Sequence, residues 1–394
     1  MTNGSTRRTT VPLGPPGLLI LRVLLVFLGL PAFGPAVASA QAPPQAPGGS
    51  TSPVPAHAAQ AQPQFPQDEG AHPAWKTEWW YVTGWLRGDD GQARGFQITF
   101  FRNLGPAPAS SLSAFAPRQL MVAHVALSDP ATGALQHDER VARASFDLAG
   151  ADAGHLNVHL RDWRLQRRDA HTLEAEAAAQ RFALRLVLHD TQAPLLQGEQ
   201  GRSQKGPDAR AFSWYYSLPH LTVSGTLALA ASVGTGAAAP QAVTGEAWLD
   251  HEWSDAYVSP GAVGWDWTGL NFDDGSALMA FRMRRADGSA VWAGGTWRDA
   301  SGLAHRLAPG DVQFTPGRPW LSPVTGARYP VTWTLRWPGH EVHLQPLLDN
   351  QEMDTRNSTG TAYWEGAVQA QDADGKSRAH GYLELTGYWK PLQF

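Results

Sequence analysis

The chain has 394 residues, with 31 basic and 35 acidic side chains and a formal charge of −4. That balance offers no basic face and excludes nucleic acid as an expected partner. There is no cysteine, so neither a disulfide framework nor a thiol-linked lipid is available. Stability must come from a buried core, which a chain of this length can supply.

Arg7 and Arg8 precede an apolar run, Leu18 to Leu30, broken by Arg22 and Gly29. Ala38-Ser39-Ala40 then offers a small-residue cleavage site. This is the grammar of a signal peptide over residues 1–40, and the run is too interrupted for a bilayer span. Arg7-Arg8 also resembles a twin-arginine signal, but Thr9-Thr10-Val11 follows it. Cleavage removes three arginines and no acid, so the formal charge moves from −4 to −7. The expected mature protein begins at Gln41 and is periplasmic or secreted, without stable membrane insertion. Residues 41–70 are rich in Pro, Ala and Gln and read as a disordered linker, with order beginning near His72-Pro73.

Beyond the linker the pattern has period two, the signature of half-buried strands. In Glu78 to Leu86, Trp79, Tyr81, Thr83 and Trp85 point one way, and Glu78, Trp80, Val82 and Leu86 the other. Phe96, Ile98 and Phe100 alternate likewise, as do 332–337 and 382–386. Asp90-Gly91, Asp274-Gly275, Asp287-Gly288 and Asp374-Gly375 supply hairpin turns. Glu174 to Arg181 has helical propensity, yet the following 182–188 alternates as a strand.

An internal repeat is visible. Thr83-Gly84-Trp85-Leu86, Asp89-Asp90-Gly91 and the strand ending at Phe100-Phe101-Arg102 reappear as Thr268-Gly269-Leu270, Asp273-Asp274-Gly275 and Leu278 to Arg282. The expected fold is all-β: two tandem antiparallel barrels, at 71–238 and 239–394. Closure of each sheet removes its exposed edges.

All 17 tryptophans lie from Trp75 onward, and several flank acids or histidine. Most read as packing. A carboxyl beside large aromatics must be exposed, paired or shifted in pKa. The densest segment is Gly245 to Asp255. As a strand it puts His251 and Trp253 on one face, and Asp250 and Glu252 on the other with Trp248. His251 then either protrudes into a lumen or is bonded within a polar plug, and spacing leaves both open. Asp255 stands where a zincin needs its second histidine, and no Gly-x-Ser-x-Gly elbow exists. No metal site is expected.

Five ordered strings carry a resemblance: Glu78 to Gly84, Ala247 to Ser254, Trp265-Asp266-Trp267 with Asp273-Asp274-Gly275, Tyr363-Trp364-Glu365-Gly366, and Gly381 to Tyr388. Together they resemble the AttH/CrtC family over about residues 70–394. That family includes lipocalin-like AttH proteins, proteins named as secreted hydrolases, and carotenoid 1,2-hydratases (hydroxyneurosporene synthases). The resemblance implies tandem lipocalin-like domains, an apolar or amphipathic ligand, no cofactor, and for some members an ABC-type permease as partner. For an enzyme it implies a hydratase or isomerase, a hydro-lyase acting on a polyene or similar lipid. His251 and Asp266 are then the expected proton handlers. Glu78, Trp79, Tyr81, Trp253, Trp265, Trp267, Glu365 and Glu384 are the expected ligand-contacting residues. The family's Tyr-x-Asp pair falls near Leu278 and Ala280, which carry no proton.

Overall fold

The computed structural model describes residues 62–108, 110–113, 115–230 and 239–392. The expected signal peptide, and the linker as far as residue 61, lie outside the described residues. Among the described residues the helical content is one 3-10 turn, Gln67–Glu69. No helix there is long and apolar enough to cross a membrane.

The first sheet takes thirteen strands: β1 (Thr77–Gly88), β2 (Ala93–Leu104), β3 (Gln119–Asp129), β4 (Ala134–Arg143), β5 (Ala149–Ala151), β6 (Asn157–Leu160), β7 (Trp163–Arg167), β8 (Thr172–Ala178), β9 (Phe182–His189), β10 (Leu195–Leu196), β11 (Arg202–Gln204), β12 (Phe212–Leu229) and β13 (Gln241–Ser254). The second takes β14 (Gly264–Phe272), β15 (Ala277–Arg284), β16 (Ala290–Arg298), β17 (Ala304–Leu307) and β18 (Gln313–Pro316). A small hairpin follows, β19 (Pro319–Leu321) with β20 (Arg328–Pro330). The second sheet resumes with β21 (Trp333–Trp337), β22 (His340–Pro346), β23 (Glu352–Thr355), β24 (Thr361–Gln371) and β25 (Ser377–Leu385).

The two sheets repeat one topology. The first runs β4-β3-β2-β1-β13-β12-β9-β8-β7, and the second β17-β16-β15-β14-β25-β24-β22-β21-β18. In each, the last long strand returns to lie beside the first, which curls the sheet toward a barrel. The all-β tandem-barrel expectation holds. The boundary at 238/239 does not follow the sheets. β13 starts at Gln241 but pairs with β1 and β12, because a barrel closes by bringing its last strand home to its first. The crossover therefore falls between Ser254 and Gly264. The repeat also carries a one-residue offset. Thr83 stands one residue further from its Asp-Gly turn than Thr268 does from its own. Thr83 pairs with Trp248, on the side facing the second barrel, while Thr268 pairs with Leu383 and Ala280 inside the second barrel. A shift of one residue exchanges faces in a strand. Gly91 and Gly275 take positive φ in the two matching turns.

Tertiary context overrides helix propensity at β8: Leu173, Ala175 and Ala177 point inward and are buried. Each interior is filled by its own apolar core, around Trp80, Phe96, Phe100 and Trp163 in the first barrel and Leu270, Trp333, Trp364 and Leu383 in the second. The expected linker ends sooner than residue 70. Phe65 packs edge-on against Tyr216, and Asp68 and Glu69 are buried. Trp80 Nε1 donates to Glu69 O at 3.1 Å.

The first sheet does not close by ladder bonds at its outer strands. Arg140 of β4 crosses the seam instead. Its guanidinium pairs with Asp162, donates to Ala178 O at 3.2 Å, and stacks over Trp163 at 4.1 Å. Arg140→Ala removes these contacts and is expected to lower stability by about 1–2 kcal/mol. Denaturant unfolding checks this, and an unchanged midpoint would remove Arg140 from the closure.

Candidate functional site

Strand pairing sorts the expected site residues onto two faces. Across β1 and β13, Glu78 pairs with Trp253 and Trp80 with His251, while Trp79 pairs with Glu252 and Tyr81 with Asp250. Paired residues share a side. The first set enters the first barrel and the second set faces the second barrel.

Inside the first barrel, Glu78 and His251 are fully buried. Glu78 Oε1 accepts from His251 Nε2 at 2.9 Å and His72 Nδ1 at 2.7 Å. Its Oε2 accepts from Arg102 Nε at 2.6 Å. His251 stacks on Trp80, and His72 lies flat on Trp253 at 3.8 Å. Burial opposes the charge on Glu78, but the bonds from His251 and His72 overcome it and hold the carboxyl well below its usual range. Burial pushes His251 down to about 4 against the pull of Glu78, so it is neutral at pH 7. Burial also opposes the charge on His72, yet bonds to Asp68 and Glu78 raise its pKa. His72, Glu78 and His251 place one ligand atom each within 4.8 Å of one another. However, Arg102 holds the outer carboxylate oxygen and both imidazoles spend a nitrogen on the inner one. Both oxygens of Glu78 are thus held by donors, and the cluster is a plug that welds the N-terminal segment over the barrel end.

The opposite face brings both barrels together. Tyr81, Tyr215, Trp248, Trp267, Phe281 and Tyr382 form one buried cluster, with Trp79 and Trp265 half-buried at its margin. Tyr257 joins Trp79 at 5.2 Å and Trp265 at 5.9 Å, making a half-buried aromatic rim. Four carboxyls stand on this face: Asp250 and Glu252 of β13, Glu365 of β24 and Glu384 of β25. Asp250 accepts from Tyr215 Oη and Ser217 Oγ, both at 2.5 Å, and from Trp248 Nε1 at 2.7 Å. Glu384 accepts from Trp265 Nε1 at 3.0 Å. Lys205, itself buried, pairs with Glu252 at 2.9 Å and lies over the Phe281 and Tyr215 rings. With one ammonium among four acids, burial lifts Asp250 to about 7 against its three donors. Burial, with the charges of Glu252 and Asp250, lifts Glu384 to about 7 although Trp265 pulls it down. Burial and Glu384 raise Glu365 well above the ordinary range, against the Tyr81 and Tyr363 hydroxyls that face it. Neutral carboxylic acids in an aromatic surround are proton donors at working pH.

The structure thus gathers Trp79, Tyr81, Trp265, Trp267, Glu365 and Glu384, and sends Glu78, Trp253 and His251 to the other side of the same strands. Asp266 stands apart from both groups. It is buried inside the second barrel, bound by Arg282 Nε at 2.5 Å and Tyr388 Oη at 2.8 Å, with Arg284 at 3.6 Å. It shares no partner with His251. Asp250, Tyr215, Lys205 and Tyr257 were not among the expected site residues. The signal for Asp250 was present, since it adjoins His251 on the face shared with Trp248.

Two measurements test this division. His251→Ala leaves the buried Glu78 short of a donor and is expected to cost about 1–3 kcal/mol. An unchanged melting temperature would contradict the plug. Asp250 binds its proton more tightly folded than unfolded. Its stabilising effect is complete below about pH 4 and fades as pH rises toward about 7. Asp250→Asn should flatten stability across that window in pH-dependent melts, and an unaltered slope would refute the assignment.

The AttH-like family model matches residues 56–388. A crystal structure from Nitrosomonas europaea, assigned as an AttH, is 48% identical, covering 85% of this chain and 98% of that one, with a TM-score of 0.76. The structure of kievitone hydratase from Nectria haematococca is 15% identical, covering 84% of this chain and 95% of that one, with a TM-score of 0.64. At that identity the likeness is one of fold alone. No curated protein matches the chain. The family match spans both barrels and takes in every motif that builds the two buried clusters: the chain belongs to the AttH-like family.

Proposed function

We propose that the protein binds an apolar or amphipathic small molecule on the aromatic, acid-bearing face between its barrels. The observation that carries this reading is the Trp79–Tyr257–Trp265 rim, which leaves large aromatics half-buried beside Glu384. Exposed aromatic surface next to a few oriented polar groups is the usual make-up of a ligand site. The barrel interiors are poorer candidates, because each is packed with its own side chains.

A second reading is supported by Asp250 and Glu384, both lifted to about 7. If the ligand is unsaturated, a neutral carboxylic acid donates a proton to its double bond. The aromatic rings then steady the resulting cation by about 0.5–2 kcal/mol each, and water adds to the cation while giving up a proton that restores the carboxylic acid. A kievitone hydratase built on this fold supports the architecture's suitability for such chemistry. The leader-like residues 1–40 support export to the periplasm or beyond, and we extend the proposal to an ABC-type permease as the partner that supplies or removes the ligand.

Titration with cis-parinaric acid, a conjugated polyene amphiphile, tests the binding reading through energy transfer from tryptophan. Trp265→Ala should weaken binding about tenfold, roughly 1.4 kcal/mol. Equal affinity in wild type and variant would move the site elsewhere. Glu384→Gln should bind the probe yet lose any incorporation of labelled water into a turned-over polyene.

A further inference from the structure

Exposed apolar side chains gather at one end of the first barrel. Among the described residues ten large hydrophobics are exposed, and six of them are Leu104, Leu112, Phe115, Val141, Phe146 and Leu148. Leu104 ends β2, Leu112 and Phe115 lie between β2 and β3, Val141 is on β4, and Phe146 and Leu148 lie between β4 and β5. The ladder brings these stretches to one sheet end: Leu104 pairs with Gln119, and Ala144 N donates to Gln119 O at 2.9 Å. The Phe115 and Phe146 rings meet at 5.3 Å, and the Arg143 guanidinium lies 5.3 Å from the first ring and 6.0 Å from the second. Leu112 is 100% exposed, Phe115 66% and Phe146 58%.

A cluster of this kind on a soluble surface marks an interaction site. The backbone points the same way. Phe146 and Asp147 take φ of 56° and 53°, the left-handed region that a bulky side chain avoids. Strain of this sort persists where a function needs it, and here it accompanies an aromatic ring left in water.

The border of the patch is basic. Arg118, Arg143 and Arg161 are exposed, and Arg161 N donates to Leu148 O at 2.7 Å. Asp147 is the exposed acid among them. Glu139 and Asp162, which border Val141 and Arg161, are engaged by Ser358 and Arg140. The chain as a whole carries −4 and is repelled by an anionic surface. Over a screening length of about 10 Å, however, the local arginines decide which edge approaches.

We propose that this patch docks the protein peripherally on an anionic lipid bilayer. The leucine and phenylalanine side chains enter the headgroup layer, and the arginines meet lipid phosphates. Protein partners demand closely fitted surfaces, whereas a bilayer accepts side chains projecting from irregular connections. The inference is independent of the reading of the interbarrel face.

The absence of cysteine makes the test site-specific, because Leu112→Cys takes a single environment-sensitive fluorophore. The labelled full chain is mixed with vesicles of phosphatidylglycerol and phosphatidylethanolamine, with and without nitroxide-bearing acyl chains. The label should shift to the blue and be quenched by the nitroxide. The same label at Leu303→Cys, exposed in the second barrel, should do neither. Phe115→Ser with Phe146→Ser, both at exposed positions, should abolish the shift at residue 112. Arg118→Gln with Arg143→Gln should weaken vesicle binding about tenfold. No shift at residue 112 would overturn the proposal. So would equal shifts at residues 112 and 303, the result expected if the apolar run Leu18 to Leu30 alone attaches the chain. A shift as large on uncharged phosphatidylcholine vesicles would overturn the anionic-lipid assignment. A shift without vesicles that grows with protein concentration would give the patch to a second copy of the chain instead.

Discussion

One buried carboxylate, Glu78, ties together parts of the chain that are otherwise far apart in sequence. It is bonded by His72 from the N-terminal segment, Arg102 from β2 and His251 from β13. A buried charge is tolerated only when its partners are complete, so Glu78 requires the N-terminal segment to lie across the barrel end and β13 to sit beside β1. Around it, stacked rings from Trp80, Trp253 and His72 exclude water and make that requirement stricter. The end of the first barrel is therefore closed by chemistry and not merely by packing.

On the other face of β1 and β13 the same residue types behave in the opposite way. Asp250 is adjacent to His251 in sequence, yet it meets hydroxyl and indole donors instead of cations. Without a full opposite charge, burial wins and the carboxyl holds its proton. Glu365 and Glu384 arrive from the second barrel; Glu384 adds to the cost of ionising Glu365, and Glu252 and Asp250 add to that of Glu384. Two identical functional groups thus become a fixed counter-ion and a proton donor, and the difference is the count of nearby positive charges.

The second barrel supplies an essential share of this face. Trp265, Trp267, Glu365 and Glu384 come from β14, β24 and β25. Neither barrel alone assembles both the rim and the acids.

Much of this was legible in the sequence, because strand alternation is a local property. The period-two pattern separated Trp79 and Tyr81 from Glu78 and Trp80, and placed Asp250 and Glu252 opposite His251. The duplicated Asp-Asp-Gly hairpins foretold two related sheets. Local pattern also had clear limits. It set the domain boundary at a Gly/Ala stretch, because nothing local says that β13 returns to close the first barrel. The family resemblance, for its part, groups Glu78, Glu365 and Glu384 as ligand contacts and joins His251 with Asp266. Which carboxyl meets a guanidinium and which meets only dipoles depends on partners brought in from other strands, such as Arg102 for Glu78 and Tyr215 for Asp250. Strand positions and the two faces of each strand follow from local alternation. Which face each charge shares, and with it which acids keep their protons, follows from packing in three dimensions, because ionisation of a buried group is governed by the sum of its neighbours in space.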